Sequence, residues 1–108
     1  MPKRSNDFQE LVSLIQKALV GQNAKITDSA LIEIPGSDYP REIDILIESE
    51  IGPYSIKIAV EAKDEQRKME MTKFESIVGK YRVEGGVKVD KVVLVTRRGF
   101  TKPVIKKL

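Results

Sequence analysis

Apolar residues recur at helical spacing in the first stretch of the chain, at Phe8, Leu11, Val12, Ile15, Ala18 and Leu19. Asn6 stands where a cap belongs, with Gln9 three residues on, and Gly21 follows as a stop. The pattern therefore predicts a helix from about 6 to 20. Lys25 to Ile34 mixes β-branched and polar residues and runs into Pro35-Gly36-Ser37-Asp38, which predicts a strand and a loop. Arg41 to Glu50 alternates, with Ile43, Ile45 and Ile47 on one face and Glu42, Asp44, Leu46 and Glu48 on the other. After Gly52-Pro53, Tyr54 to Lys63 resumes the alternation. Ile56, Ile58, Val60 and Ala62 face one way, and Lys57, Ala59, Glu61 and Lys63 the other. These two segments predict a hairpin.

Phe74, Ile77, Val78 and Tyr81 mark a second helix from about 69 to 83, ended by Gly85-Gly86. Val89 to Thr96, with its Val-Val-Leu-Val centre, reads as a strand covered on both faces that returns parallel to its predecessor. Thr101 caps a last helix beginning near Pro103, with only a turn and a half before Leu108. The order is α-β-β-β-α-β-α, an α/β class with a mixed sheet flanked by helices and a right-handed βαβ crossover. Residues 1–108 make a single domain, and the stub of a last helix suggests a trimmed or minimal version of a domain that usually continues.

Composition narrows the chemistry more than the class. The chain has no Cys and no His, which excludes disulfides, thiolate and imidazole metal sites, and Ser-His-Asp triads. Carboxylates, Lys, Arg, Tyr and hydroxyls remain, and carboxylates select hard ions such as Mg²⁺ or Mn²⁺. The longest apolar run, Val92 to Val95, is far short of a membrane span, and no secretory h-region opens the chain. A cytoplasmic protein without a membrane partner is expected. The net charge of +3 is small, but Arg97, Arg98, Lys102, Lys106 and Lys107 close the chain with no acid among them. A basic end on a slightly acidic body suits a polyanion touching one face, or simply a solvated terminus.

A hairpin turn centred between Gly52 and Pro53 puts Asp44 opposite Glu61. Directly opposed residues share a face with Cβ atoms ~4.5 to 5.5 Å apart, close enough for both carboxylates to bind one cation. Two acids so close repel unless a cation lies between them. Lys63 points to the same side, roughly 6.5 to 7 Å further along the strand, where an ammonium can hold a water or a phosphate oxygen. The backbone carbonyl of Ala62 could supply another hard ligand. The plainer reading is three charged residues on a solvated sheet face. The helical angle of Glu10 on the first helix favours the surface. Lys80, with Lys68, Lys73 and Arg82, could approach phosphates from the second helix, but solvated helix charges are the default reading. Phe74, Tyr81 and Phe100 are expected in the core.

Ile43-Asp44 followed by Val60-Glu61-Ala62-Lys63 resembles the bipartite motif of the PD-(D/E)xK nuclease superfamily, and the predicted order resembles its αβββαβ core. Arg41 to Leu46, Val60 to Asp64, Val78-Gly79-Lys80, Val92 to Thr96 and Gly99-Phe100-Thr101 look like successive blocks of its Mrr-like restriction-endonuclease branch. The acid here is preceded by Ile43 rather than Pro. The resemblance implies a restriction-endonuclease-like fold and a Mg²⁺-dependent endodeoxyribonuclease, with Mn²⁺ as a substitute ion. Asp44, Glu61 and the Ala62 carbonyl, with Glu10 as a further acid, would hold the metal, and Lys63 would serve the attacking water. The products would be a 5′-phosphate and a 3′-hydroxyl. DNA is the implied partner, met by Lys80, Arg97, Arg98 and Lys102, and a homodimer is a reasonable expectation. The alternatives are a nucleic-acid-binding or assembly module that keeps the nuclease fold without turnover, and a protein-interaction domain.

Overall fold

The computed structural model describes residues 7–20, 24–82 and 86–108, leaving aside the side chain of Leu19. Its elements are α1 (Asp7–Val20), β1 (Ala24–Ile32), β2 (Arg41–Ile51), β3 (Tyr54–Lys63), α2 (Met71–Lys80), β4 (Lys91–Thr96) and α3 (Lys102–Lys107). One four-stranded sheet runs β1-β2-β3-β4. The first three strands form an antiparallel meander, and β4 joins β3 in parallel after α2. The fold is therefore α/β with a mixed sheet flanked by helices, and among the described residues no helix is long and apolar enough to cross a membrane. The expected cap Asn6 and the stops Gly21 and Gly85 lie outside the described residues.

Strand alternation divides the core between the two sheet faces. Ile45, Ile47, Val60 and Ala62 meet Phe8 and Val12 of α1 on one face. On the other, α2 and α3 close over Leu94 through Met69, Phe74, Ile77 and Val104. Tyr81 and Phe100 are half-buried at the margins of this second core.

Several elements depart from the sequence pattern. β1 ends at Ile32 and β4 begins at Lys91, each two residues short of expectation. α2 spans Met71–Lys80 rather than 69 to 83, because Met69 bridges to Phe100 before the helix and Tyr81 leaves helical geometry after it. β4 is half-buried along its apolar run instead of fully covered, since it is an edge strand. α1 turns Phe8, Gln9, Val12 and Ser13 to the sheet and leaves Leu11 and Ile15 outside. Polar anchors set that rotation. Ser13 Oγ donates to Asp28 at 2.7 Å, and Gln9 Nε2 donates to the Asp44 carbonyl at 3.0 Å and to Ser29 Oγ at 3.3 Å.

The alternation of β2 changes phase at Asp44. Ile43 packs with Leu46, Ala59 and Val87, whereas Ile45 and Ile47 pack under α1. The ladder pairs Asp28 with Ile45 and Ala30 with Ile43 but skips Ser29 and Asp44. Ser29 there has φ 51°, left-handed backbone in a buried non-glycine residue. Such strain costs of order 1 to 2 kcal/mol and persists only where neighbours hold it. Ser29→Val adds a β-branched clash and removes the acceptor for Gln9, so it should destabilise the fold by about 2 to 3 kcal/mol. Urea unfolding checks this as a lower midpoint at unchanged slope.

Candidate functional site

The β2–β3 ladder runs in register from Ile51 and Tyr54 to Ile45 and Val60, and then stops. The next pair in that register is Asp44 and Glu61, as the hairpin geometry predicts. Instead of a ladder bond, Asp44 inserts its carboxylate, and Oδ2 accepts the Ala62 N–H at 2.9 Å. With β1 unpaired on its other side, Asp44 sits where β2 has lost its neighbours on both flanks. That opening lets a side chain in the middle of a sheet reach a cavity. In a strand, the N–H and C=O of one residue point the same way, so the Ala62 carbonyl is also directed toward β2.

Glu61 is 2% exposed, a depth at which an isolated carboxylate is expensive. Its Oε1 accepts from Lys80 Nζ at 2.7 Å and from the Tyr81 hydroxyl at 2.7 Å. Lys80 also donates to the Glu42 carbonyl and lies 5.6 Å from the Tyr81 ring centroid. Lys63 Nζ stands 3.5 Å from Asp44 Oδ2 and 3.8 Å from Glu61 Oε2, so one ammonium faces both acids. One lysine thus links Asp44 and Glu61 at the open end of the hairpin. Burial, followed by the charge and hydrogen bond of Glu61, pushes the Tyr81 hydroxyl well above its ordinary pKa, with Asp44 adding to the shift.

A cavity of about 220 Å³ opens beside this group, lined by Gln9, Asp44, Ala62, Lys63, Asp64, Glu65 and Lys73. The first-helix residue at its wall is Gln9, not Glu10. One helical step turns the side chain by about 100°, which leaves Glu10 exposed and outside the lining. Lys80 is also corrected, because its ammonium points into the Glu61 network rather than out toward a phosphate. Arg97, Arg98 and Lys102 are exposed at the end of β4 and the start of α3. The Arg97 N–H donates to the Lys63 carbonyl, which sets this basic stretch at the same sheet end as the acids. Its guanidinium holds Asp64 at 2.5 and 3.3 Å, lies 5.2 Å from the Phe8 ring centroid, and has its pKa raised by the hydrogen bond and charge of Asp64.

Sequence reasoning missed Gln9, Asp64, Glu65 and Tyr81 as members of the site. Gln9 had no periodic signal, since apolar residues surround more than half of α1 and polar contacts decide which face meets the sheet. Tyr81 had none, because its ring alone gives a sufficient reason for burial.

The donor set is hard oxygen throughout: two carboxylates and the Ala62 carbonyl. These suit Mg²⁺ or Mn²⁺ chemically. Among the described residues no third acid joins them in one cluster. Lys63 and Lys80 supply two opposing positive charges, so a divalent ion entering here competes with ammonium groups for the same oxygens.

No family model matches the chain, and no curated protein does. Among solved structures, the chain is similar to the crystal structure of a protein of unknown function, AF1548, at a TM-score of 0.65 and 12% identity. The match covers 92% of this chain and 50% of that one, so this chain spans half the length of its structural neighbour. The likeness is one of fold.

The Tyr81–Glu61 bond has a measurable pH signature. Below pH about 10, Tyr81 is protonated in both folded and unfolded chains, and its full contribution is present. Above that, the unfolded chain ionises while the folded one holds its proton, so stability falls with rising pH. Tyr81→Phe should cost about 1.5 to 3 kcal/mol at neutral pH, as expected for a hydrogen bond to a charged group. The gap to the parent should shrink above pH about 10. Denaturant unfolding of both proteins from pH 7 to 11 in EDTA checks this, and a constant gap would contradict it.

Proposed function

We propose that this protein is a Mg²⁺-dependent endodeoxyribonuclease of restriction-endonuclease-like fold. The carrying observation is the single ammonium of Lys63 set 3.5 Å from Asp44 and 3.8 Å from Glu61 beside a solvent-open cavity. This is the combination of hard-ion ligands and adjacent cation that phosphodiester hydrolysis needs. Supporting it are the αβββαβ order, the Asp…Glu-x-Lys spacing across a hairpin, and the basic residues Arg97, Arg98 and Lys102 at the same sheet end.

In this reading Asp44, Glu61 and the Ala62 carbonyl hold the metal. When bound, the metal polarises the scissile phosphate and lowers the pKa of water. Lys63 orients the attacking water or meets the charge that develops on the phosphate oxygens. The 3′ oxygen leaves, giving 5′-phosphate and 3′-hydroxyl ends. Lys80 and Tyr81 hold the Glu61 carboxylate in position, and Arg98 and Lys102 meet the DNA backbone.

One observation favours a second reading, a nucleic-acid-binding or assembly module without turnover. Two carboxylates are already balanced by two ammonium groups, a closed arrangement that needs no metal. Incubation of duplex, branched and single-stranded DNA with Mg²⁺, Mn²⁺ or EDTA separates the two. Metal-dependent cleavage is expected; salt-sensitive binding without cleavage of any form would establish the second reading.

Within the nuclease reading, Asp44→Asn should abolish Mn²⁺ binding measured by calorimetry while leaving the fold intact. Lys63→Ala should slow single-turnover cleavage by ~100 to 1000-fold with far less effect on DNA affinity, because its contact strengthens in the transition state. Lys63→Arg should rescue poorly, since a planar guanidinium cannot take the ammonium's place between two acids. Cleavage at the parental rate by bound Lys63→Ala would remove the mechanism.

A further inference from the structure

The rotation that lets α1 bury Gln9 and Ser13 leaves a continuous apolar stripe on its outer side. Leu11 is 53%, Leu14 66% and Ile15 48% exposed, and Ala18 continues the line. At 100° per residue these four cover an arc of about 100°, the width of an ordinary core-facing stripe. Contiguous exposed aliphatic residues on one helix mark an interaction surface, whereas single ones need no explanation.

The charges bordering the stripe select its occupant. Glu10 and Lys17 are seven residues apart, so both lie beyond the same edge of the arc, by roughly 40 to 60°. In an antiparallel pair of helices related by a two-fold axis, the same edge of each helix meets its copy. Centred between Ser13 and Leu14, that pairing sets Glu10 of each protomer against Lys17 of the other. Leu11, Leu14 and Ile15 interdigitate across the axis. Both charge pairs are then satisfied twice over by one symmetric contact. A parallel pair offers no such match, since opposite edges would meet. Lys17 is free to turn outward, because its link to Asp28 is long at 3.8 Å and half-exposed.

From this surface we infer that α1 is a homodimer seam, with a second copy of this chain as its occupant, packed antiparallel through Leu11, Leu14, Ile15 and Ala18. The inference does not depend on the site's chemistry. The seam is small: a 14-residue helix is about 21 Å long and covers less than the ~800 Å² per partner of a standard interface. A contact of this size makes a weak dimer, with Kd of order micromolar or above.

Sedimentation equilibrium of the full chain from about 5 to 500 µM tests it. The parent should shift from monomer to dimer across that range. Leu14→Glu should remain monomeric at the top concentration with an unchanged circular dichroism spectrum. Glu10→Lys and Lys17→Glu should each raise Kd about three- to tenfold, by turning two attractive pairs into two repulsive ones. The double exchange Glu10→Lys with Lys17→Glu should restore the parental Kd, because it rebuilds both pairs with reversed sign. Thermal melts of dilute samples show whether loss of the Lys17–Asp28 contact disturbs the monomer, and Glu10→Lys carries the test if it does. A parent that stays monomeric throughout would overturn the seam and assign the stripe to a different partner. So would a dimer unaffected by Leu14→Glu, or charge exchanges that fail to compensate.

Discussion

The constraint on which this structure turns is the complete burial of one carboxylate. Glu61 lies on the face of β3 turned toward α2, at a depth where a lone negative charge would be expelled or neutralised. It stays because α2 delivers Lys80 and Tyr81 together, one residue apart, as the helix ends. The end of α2 is therefore set by charge as much as by helix propensity. Moving it by one residue would turn the ammonium by about 100° and leave the acid without its partner. Removing one partner of such a buried pair commonly costs ~3 to 5 kcal/mol, more than most single apolar contacts in so small a core.

A second constraint meets the first at Asp44. Sheets normally hide their backbone polar groups by pairing them, and β2 forgoes that pairing here on both sides. Side chains make up the loss. The Asp44 carboxylate takes the Ala62 N–H, and the Gln9 amide takes the Asp44 carbonyl. Among the described residues no buried side-chain nitrogen or oxygen lacks a partner. The polar face of α1 and the left-handed turn of Ser29 thus belong to one device, an opened ladder that exposes a mid-strand acid.

Much of this was legible in the sequence, and the rest was not for identifiable reasons. The β2–β3 hairpin was readable because two alternating segments flank Gly52-Pro53, and register then followed from chain geometry alone. That register sufficed to bring Asp44, Glu61 and Lys63 together. The face of α1 was not readable, because apolar residues ring more than half of that helix and the deciding contacts are polar. Gln9, Ser13, Asp28 and Ser29 carry no periodic signal. The change of phase at Asp44 was hidden as well, since Ile43, Ile45 and Ile47 look equivalent in an alternating pattern and all three are buried. β4 looked doubly covered because its Val-Val-Leu-Val run reports the character of both faces, not the presence of a neighbouring strand.

The charge balance at the open hairpin end links the two constraints to what the site can do. Two acids at the separation of opposed residues would repel strongly in a desolvated setting, yet Lys63 and Lys80 make the group neutral. The two ammonium groups are not equivalent. Lys80 is 13% exposed, bonded at 2.7 Å and held by a carbonyl as well, so it belongs to the folded core. Lys63 is 25% exposed, and its 3.5 and 3.8 Å contacts leave it loosely shared between the acids at the cavity wall. A cation drawn to these carboxylates would displace the weaker contact first, freeing Lys63 while Lys80 and Tyr81 still aim Glu61. One lysine is thus loosely shared at the cavity wall and is the one a competing cation would meet, while the other is built into the folded core.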